Sequence, residues 1–297
     1  MTVKTFLLIY NPVAGAGEFK HRLDEFIAAM RARECLVMPL RTDSKEDVPI
    51  LLSIIKIMPV DGVLAAGGDG TIHETANYLL TENIDVPLGI IPYGTSNDMA
   101  AFLDLPKELD ACAEIFAAGY NKALDVGMVN GMYFLNVASA GLLSSVGHSV
   151  DRTLKSTLGK LAYYLKGFEE VPRFRTIPMK ITADGRVIED NMVLFLVMNG
   201  GIVGSFTKLA PQARMDDGKL DVVIVHRCSL RKMAGIMISL LSGTHFAHKE
   251  VEHIQAAEIL IESGLAIGSD LDGELGPELP LKIRVVPQRL RVYMKAD

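Results

Sequence analysis

Residues 67–71 read Gly67-Gly68-Asp69-Gly70-Thr71, directly after the apolar run Val63-Leu64-Ala65-Ala66 and directly before Ile72-His73-Glu74-Thr75-Ala76-Asn77. The order predicts a buried strand, a glycine turn and a helix start, an arrangement suited to holding phosphate. Glycine has no Cβ, so backbone N–H groups can approach an anion closely. The first turn of a helix adds unpaired donors and the positive end of its dipole. Thr71 and Glu74 stand in the S/T-x-x-E relation of a capping box, which predicts a helix N-terminus at Thr71. Asp69 is the odd member, because a carboxylate facing phosphate is repelled unless a metal or a hydroxyl lies between them. Taken alone, the same residues also read as a tight strand–helix turn with an aspartate cap.

Two further segments repeat the pattern. Pro87-Leu88-Gly89-Ile90-Ile91-Pro92 delivers Tyr93-Gly94-Thr95-Ser96-Asn97-Asp98, and Phe6-Leu7-Leu8-Ile9-Tyr10 delivers Asn11-Pro12-Val13-Ala14-Gly15-Ala16-Gly17. In doubly wound sheets ligands bind at the carboxyl ends of parallel strands, so three polar, glycine-rich turns at one edge predict a phosphate-binding crest. Between them, Phe19, Leu23, Phe26, Ile27 and Met30 recur at helical spacing, Leu36 to Leu40 reads as a strand, and Val48 to Met58 reads as a helix. Alternation of strand and helix over residues 4–127 predicts an α/β domain with a mostly parallel sheet.

Beyond Asp125 the texture changes. Strands are predicted over 132–137, 179–182, 192–197, 220–225, 257–262 and 281–286, with Asp184-Gly185 as a hairpin turn. A β-rich, antiparallel second domain follows. Between its strands, Arg152 to Phe168 reads as a helix with Leu154, Leu158, Leu161, Leu165 and Phe168 on one stripe. Arg152, Lys155 and Lys166 cluster opposite, with Lys160 nearby. Residues 151–175 hold six basic and three acidic side chains in a chain of net charge −6. An ordinary solvated face and a membrane-facing patch both fit that charge.

With 297 residues, 49% hydrophobic and 22% charged, the chain is long enough for two domains and a sizeable core. Its negative charge argues against nucleic acid as the main partner, since backbone binding needs a cationic footprint. Cys35, Cys112 and Cys228 are widely separated, with no C-x-x-C, so neither a disulfide framework nor a zinc site is indicated, and a reducing cytosol is expected. The most apolar stretch, Met233 to Leu241, falls short of a bilayer span, and Phe6 to Tyr10 is too short for a signal segment.

Asn11-Pro12 with Gly15, Gly67-Gly68-Asp69-Gly70-Thr71 with Glu74, Gly94-Thr95 with Asn97-Asp98, Asp216-Asp217-Gly218-Lys219-Leu220-Asp221-Val222 and Asp272-Gly273-Glu274 occur in one order. In that order they resemble the diacylglycerol kinase catalytic family of lipid kinases, which includes sphingosine and ceramide kinases and soluble bacterial enzymes. The resemblance spans nearly the whole chain. Two departures stand out: Gly15-Ala16-Gly17 lacks the lysine often found in the first loop, and His73 stands where asparagine is common.

The resemblance implies an N-terminal doubly wound domain of the NAD kinase and phosphofructokinase kind, residues 1–127 with 288–297 returning to it, and a C-terminal antiparallel β-sandwich, residues 128–287, that binds lipid. It implies ATP contacts at Asn11, Pro12, Val13, Ala14, Gly15, Thr42, Gly67, Gly68, Asp69, Gly70, Thr71, Ile72, His73 and Thr95. Glu274 is the implied general base, with Asp272, Asp69 and Asp98 as further catalytic carboxylates. A Mg²⁺ ion is implied at Asp217 and the main-chain oxygens of Arg214 and Lys219, with Asp69, Asp98 and Asp221 linking it to the nucleotide. The expected activity is ATP-dependent phosphorylation of diacylglycerol to phosphatidic acid by a cytoplasmic enzyme at the inner face of an anionic membrane. Helix 152–168 would meet that membrane, and a homodimer is expected. Phosphatidylglycerol or a sphingoid base as acceptor, an NAD kinase, and a non-catalytic nucleotide- or lipid-sensing pseudokinase are the alternatives.

Overall fold

In the computed structural model, residues 3–44, 46–141 and 176–296 are described. The chain divides into two packed units, one of Met1–Val126 with Pro287–Asp297 and one of Gly127–Val286. Helix 152–168 lies outside the described residues.

The first unit is built on parallel strands β1 (Lys4–Tyr10), β2 (Cys35–Arg41), β3 (Gly62–Gly67) and β4 (Leu88–Pro92), in the order β4-β3-β1-β2. The final strand of the chain (Leu281–Tyr293) adds its C-terminal end beside β4, Val292 opposite Leu88. Side chains alternate across a strand. Phe6, Leu8, Leu64, Ala66 and Ile91 therefore meet one layer, where α1 (Phe19–Arg31) and α5 (Leu109–Ala118) supply Phe19, Phe26, Met30, Cys112 and Phe116. Leu7, Ile9, Val63, Ala65 and Ile90 are buried on the other face, where α2 (Asp47–Leu52) and α3 (Asp69–Thr81) pack. Helices on both faces explain why these strands are continuous apolar runs.

The strands of the second unit are β6 (Met132–Phe134), β7 (Val137–Gly141), β8 (Ile177–Ala183), β9 (Arg186–Met198), β10 (Leu220–His226), β11 (Val251–Ala256), β12 (Glu258–Glu262), β13 (Gly268–Leu271) and β14 (Glu274–Glu278), joined by β5 (Asn121–Val129) and β15 (Leu281–Tyr293), which run through from the first unit. The described strands β6 to β14 pair antiparallel with their neighbours. β9 shows two characters. Its first half, against β8, is mostly exposed; from Met192 to Met198 every residue is buried, because β7 and β10 pair with it there, and Met192, Phe195 and Val197 enter the apolar core with Phe134, Val222, Ile224 and Leu271. This is a β-sandwich-like domain.

Three hairpins in this unit share one device. Asn130-Gly131, Asp184-Gly185 and Asp272-Gly273 all have positive φ at both positions, the requirement of a type I′ turn. In each, the first side chain then clamps a neighbouring strand. Asn130 accepts from the N–H of Lys282 at 2.8 Å and donates to the carbonyl of Pro280 at 3.0 Å. Asp184 accepts from Ala257 and Glu258 at 3.0 and 2.8 Å. Asp272 accepts from Leu135, Asn136 and Val137 at 2.6, 2.9 and 2.8 Å.

That last clamp corrects the sequence reading. A single strand is predicted over Met132–Val137, but the structure breaks it at Leu135-Asn136, where the Asp272 carboxylate takes N–H groups a continuous ladder would need. The helix predicted to Met58 also stops early. α2 ends at Leu52 and a 3₁₀ turn follows, with the Ser53 hydroxyl bonded back to the Ile50 carbonyl at 2.6 Å. At Gly67-Gly68 the helix starts before the predicted cap: its N-cap is Gly68, and Thr71 lies inside the first turn.

If the clamps stabilise the sandwich, Asp184→Ala removes the acceptor of two N–H groups and should cost about 1–3 kcal/mol. Urea unfolding checks this, and an unchanged midpoint would assign Asp184 to the turn alone.

Candidate active site

β1, β2, β3 and β4 run parallel and in register, so the residues following them, Asn11, Thr42, Gly68 and Tyr93, emerge at one edge of the first unit's sheet. The turns there are packed backbone on backbone. A Cβ on Gly15, which has φ +60°, would sit 2.6 Å from the Tyr93 carbonyl oxygen, and one on Gly68 would sit 3.2 Å from the Gly94 Cα. A Cβ on Gly94 would collide with the Gly68 Cα and with Asn97 Oδ1. Gly68 itself has φ −91°, so it is glycine because two backbone segments meet there and not because the backbone is left-handed.

Asp69 joins the second turn to the third. Its carboxylate accepts from the N–H of Asn97 at 2.8 Å and of Asp98 at 2.7 Å. Those are donors at the start of α4 (Asp98–Phe102), which a five-residue helix cannot satisfy internally. Burial pushes the Asp69 carboxyl up from its ordinary range, and the Asp98 and Asn97 donors pull against that shift. Asn97, in the left-handed region at φ 54°, closes its own loop: Oδ1 accepts from Gly94 N–H at 2.7 Å and Nδ2 donates to the Gly94 carbonyl at 2.8 Å. The first loop is closed in a similar way, Asn11 Oδ1 accepting from Val13 N–H at 3.0 Å. Thr42 is buried, and both its N–H and its hydroxyl donate to the Tyr10 carbonyl.

Of the residues expected to face nucleotide, Gly15, Gly67, Gly68, Gly70 and Thr71 line this edge together with Val13, Ala14 and Thr95, while the side chains of Ile72 and His73 are buried in α3. His73 bonds to Asn77 one turn on, so its side chain serves the helix. A cavity of about 580 Å³ opens beside the crest, lined by Gly15, Arg22, Tyr93, Gly94, Thr95 and Lys107. The Arg22 guanidinium is fixed at its wall by donating to the Tyr93 hydroxyl at 2.6 Å. Sequence reading passed over Arg22 and Lys107, since a lone cation on a helix or after a proline has no spacing signature.

The remaining candidates belong to the second unit. Asp272 is committed to three backbone donors, which makes it a residue that shapes the hairpin. That hairpin presents Glu274, half-buried and opposite Leu271 at the start of β14. Asp217 lies exposed in an acidic turn, its Oδ1 accepting from Lys219 N–H at 3.0 Å, while the Arg214 side chain pairs with Asp216 at 3.0 Å. Asp221 is buried and bonded to His253 at 2.6 Å and Gln255 at 3.2 Å. No group of three or more His, Cys, Asp or Glu side chains that could hold a metal occurs among the described residues. No described helix is long and apolar enough to cross a membrane.

Because Asp69 holds two turns with both oxygens, Asp69→Asn should lower stability by about 1–3 kcal/mol and weaken ATP binding in step. Denaturant melts and calorimetry on one preparation check this. Loss of kcat with both other quantities unchanged would instead make Asp69 a group of the chemical step.

Residues 5–129 match the diacylglycerol kinase catalytic domain family, and residues 136–294 match the family described as YegS C-terminal NAD kinase beta sandwich-like domain. The chain is 33% identical over 296 residues to the diacylglycerol kinase of Bacillus subtilis (strain 168), covering 99% of this chain and 98% of that one. It is 30% identical over 290 residues to the diacylglycerol kinase of Staphylococcus aureus (strain MRSA252), covering 98% and 92%. The crystal structure of a diacylglycerol kinase from Bacillus anthracis (strain Sterne) superposes with a TM-score of 0.83 at 31% identity, over 99% of this chain and 98% of the other. Both units are thus accounted for by matched families and by relatives aligned nearly end to end, and the chain belongs to the diacylglycerol kinase family.

Proposed function

We propose that this protein transfers the γ-phosphoryl group of ATP to the free hydroxyl of diacylglycerol, giving phosphatidic acid and ADP. The observation that carries the reading is the interlocked crest, three glycine turns at the carboxyl edge of parallel strands with Asp69 tying two of them together. Phosphoryl transfer asks a protein mainly for positioning and for neutralisation of charge, and such a crest presents backbone N–H groups already in place. The relatives carry the name diacylglycerol kinase, which supports the acceptor.

In this reading the loop 11–15, the turn and helix start 67–73 and Thr95 hold the phosphates. The acceptor hydroxyl oxygen bonds to the γ-phosphorus as the bond to the β,γ-bridging oxygen breaks, and Glu274 takes the hydroxyl proton. A carboxylate, ordinarily ionised at neutral pH, is a competent acceptor at that moment. Asp272 and Asp98 are positioning residues, the first by shaping the Glu274 hairpin and the second by beginning α4.

Magnesium fits the acidic turn by donor chemistry: the Asp217 carboxylate with the main-chain oxygens of Arg214 and Lys219 is an all-oxygen set, as a hard cation prefers. One side-chain carboxylate is few for a closed protein cage, but magnesium usually keeps waters or phosphate oxygens among its ligands. The chemistry such ions supply when bound is neutralisation of negative charge on phosphate and carboxylate. The lipid acceptor places the enzyme at the inner face of a membrane as a peripheral protein, with the basic helix 152–168 and a homodimer as further expectations of the same reading.

Purified protein with radiolabelled ATP, Mg²⁺ and mixed micelles containing diacylglycerol, phosphatidylglycerol or a sphingoid base, with NAD as a soluble control, tests the acceptor. Label in phosphatidic acid alone supports the proposal; label in any other product, or in none, overturns it. Glu274→Gln keeps the shape of the side chain and loses its basicity, so kcat should fall roughly 10²-fold or more with ATP affinity unchanged. Turnover like the parent's would remove Glu274 from the mechanism. Added Mg²⁺ should raise the melting temperature of the parent more than that of Asp217→Ala, and equal shifts would move the ion elsewhere.

A further inference from the structure

The second unit's described helix, α6 (Leu230–Ser242), buries Met233, Ile236, Met237 and Leu240. Its outward side is not polar. Leu230, Ile238 and Leu241 are 56%, 58% and 57% exposed. At 100° per residue these three, with Ala234 among them, fall within an arc of about 80°, bordered by exposed Arg231. Single exposed aliphatic residues need no explanation, but an aligned stripe of large ones does.

The charge around the stripe is one-sided. From residue 227 to 249 the chain holds Arg227, Arg231, Lys232 and Lys249 and no aspartate or glutamate, in a protein of net charge −6. Lys232 is paired with Glu250. Arg227 and Arg231 form no ion pair with any described residue. An exposed aliphatic stripe edged by cations is the pattern of a helix that lies in the plane of a bilayer interface.

We propose that α6 docks on an anionic membrane surface, with Leu230, Ile238 and Leu241 entering the headgroup boundary and Arg227 and Arg231 meeting acidic headgroups. The proposal rests on the lipid-kinase reading for why a membrane is the partner, and on the helix for where contact is made. A second copy of the chain is the less suitable occupant. A two-fold contact would set the same face against itself, and with it Arg227 and Arg231, which form no ion pair with any described residue, against their own copies.

The chain contains no tryptophan, so Ile238→Trp and Leu241→Trp are single-tryptophan reporters. Val187→Trp, at a position 55% exposed in β9 of the same unit, is the control. On phosphatidylglycerol/phosphatidylcholine vesicles the two α6 reporters should shift to the blue and be quenched by brominated lipid, both effects falling with added salt over the range in which surface charges are screened, while the control stays unchanged. The double variant Ile238→Glu, Leu241→Glu should lower vesicle partitioning roughly tenfold or more, as expected for two aliphatic side chains withheld from the interface. Its melting temperature and its turnover of a water-soluble short-chain diacylglycerol should remain those of the parent.

Silent reporters on anionic vesicles overturn the proposal, as does unchanged partitioning of the double variant. Sedimentation showing that the double variant turns a dimer into a monomer, with partitioning unaltered, would assign the stripe to a second copy and overturn it too. The reporters need no turnover, so the two readings fail separately. Blue-shifted reporters without phosphorylation of any lipid sink the kinase reading and support the docking one. Turnover on vesicles with silent reporters does the reverse.

Discussion

The Asp69 carboxylate accepts the N–H groups of Asn97 and Asp98, and the crest of the first unit depends on it. Without those two bonds, the short helix α4 would begin with unsatisfied donors in a buried place, and the third turn would be left tied to the second by the strand pairing that ends at Tyr93 N–H and the Gly67 carbonyl. Both oxygens of the carboxylate accept from backbone donors of the third turn. The same bonds leave the left-handed Asn97 to close its own loop, so one side chain organises a strand end, a turn and a helix start.

The second unit uses the same chemistry for a different end. Asn130, Asp184 and Asp272 each begin a two-residue turn and each reach beyond it to hold a neighbouring strand. Side chains of this kind are common in turns because they accept from nearby backbone; here the partner is distant in sequence, so each turn also fixes the position of another segment. Asp272 is the case with functional weight. It breaks a strand at Leu135-Asn136 and, through the glycine that follows, sets where Glu274 begins β14. The hairpin that Asp272 begins is thus tied to the segment Leu135–Val137 by three backbone donors.

The helix α6 shows how a surface can depart from the pattern that the interior follows. Its buried side is an ordinary apolar face, set by Met233, Ile236, Met237 and Leu240. Its exposed stripe lies outside that face, and the segment from 227 to 249 carries four basic residues and no acid in a chain that is acidic overall. Both features make sense together against a negatively charged, apolar-cored partner.

The sequence by itself determined the class of each unit. Continuous apolar runs ending in glycine turns and alternating with helical spacing pointed to parallel strands covered on both faces, and a succession of strands with Asp184-Gly185 between two of them pointed to antiparallel pairing. It also named the residues at the strand ends, because each apolar run there stops at glycine and Asx side chains. Only the tertiary structure decided what those side chains do. Asp69, Asp272 and Asp221 read alike in sequence as site carboxylates, yet their partners are backbone and side-chain groups far along the chain, at Asn97, Leu135 and His253. Helix and strand starts moved for the same reason: Thr71 is a sound N-cap locally, but the helix begins at Asp69, whose carboxylate is held by α4. Local chemistry limits which bonds a residue can make, and long-range packing chooses among them, because a hydrogen bond has no sequence separation until the fold supplies its partner.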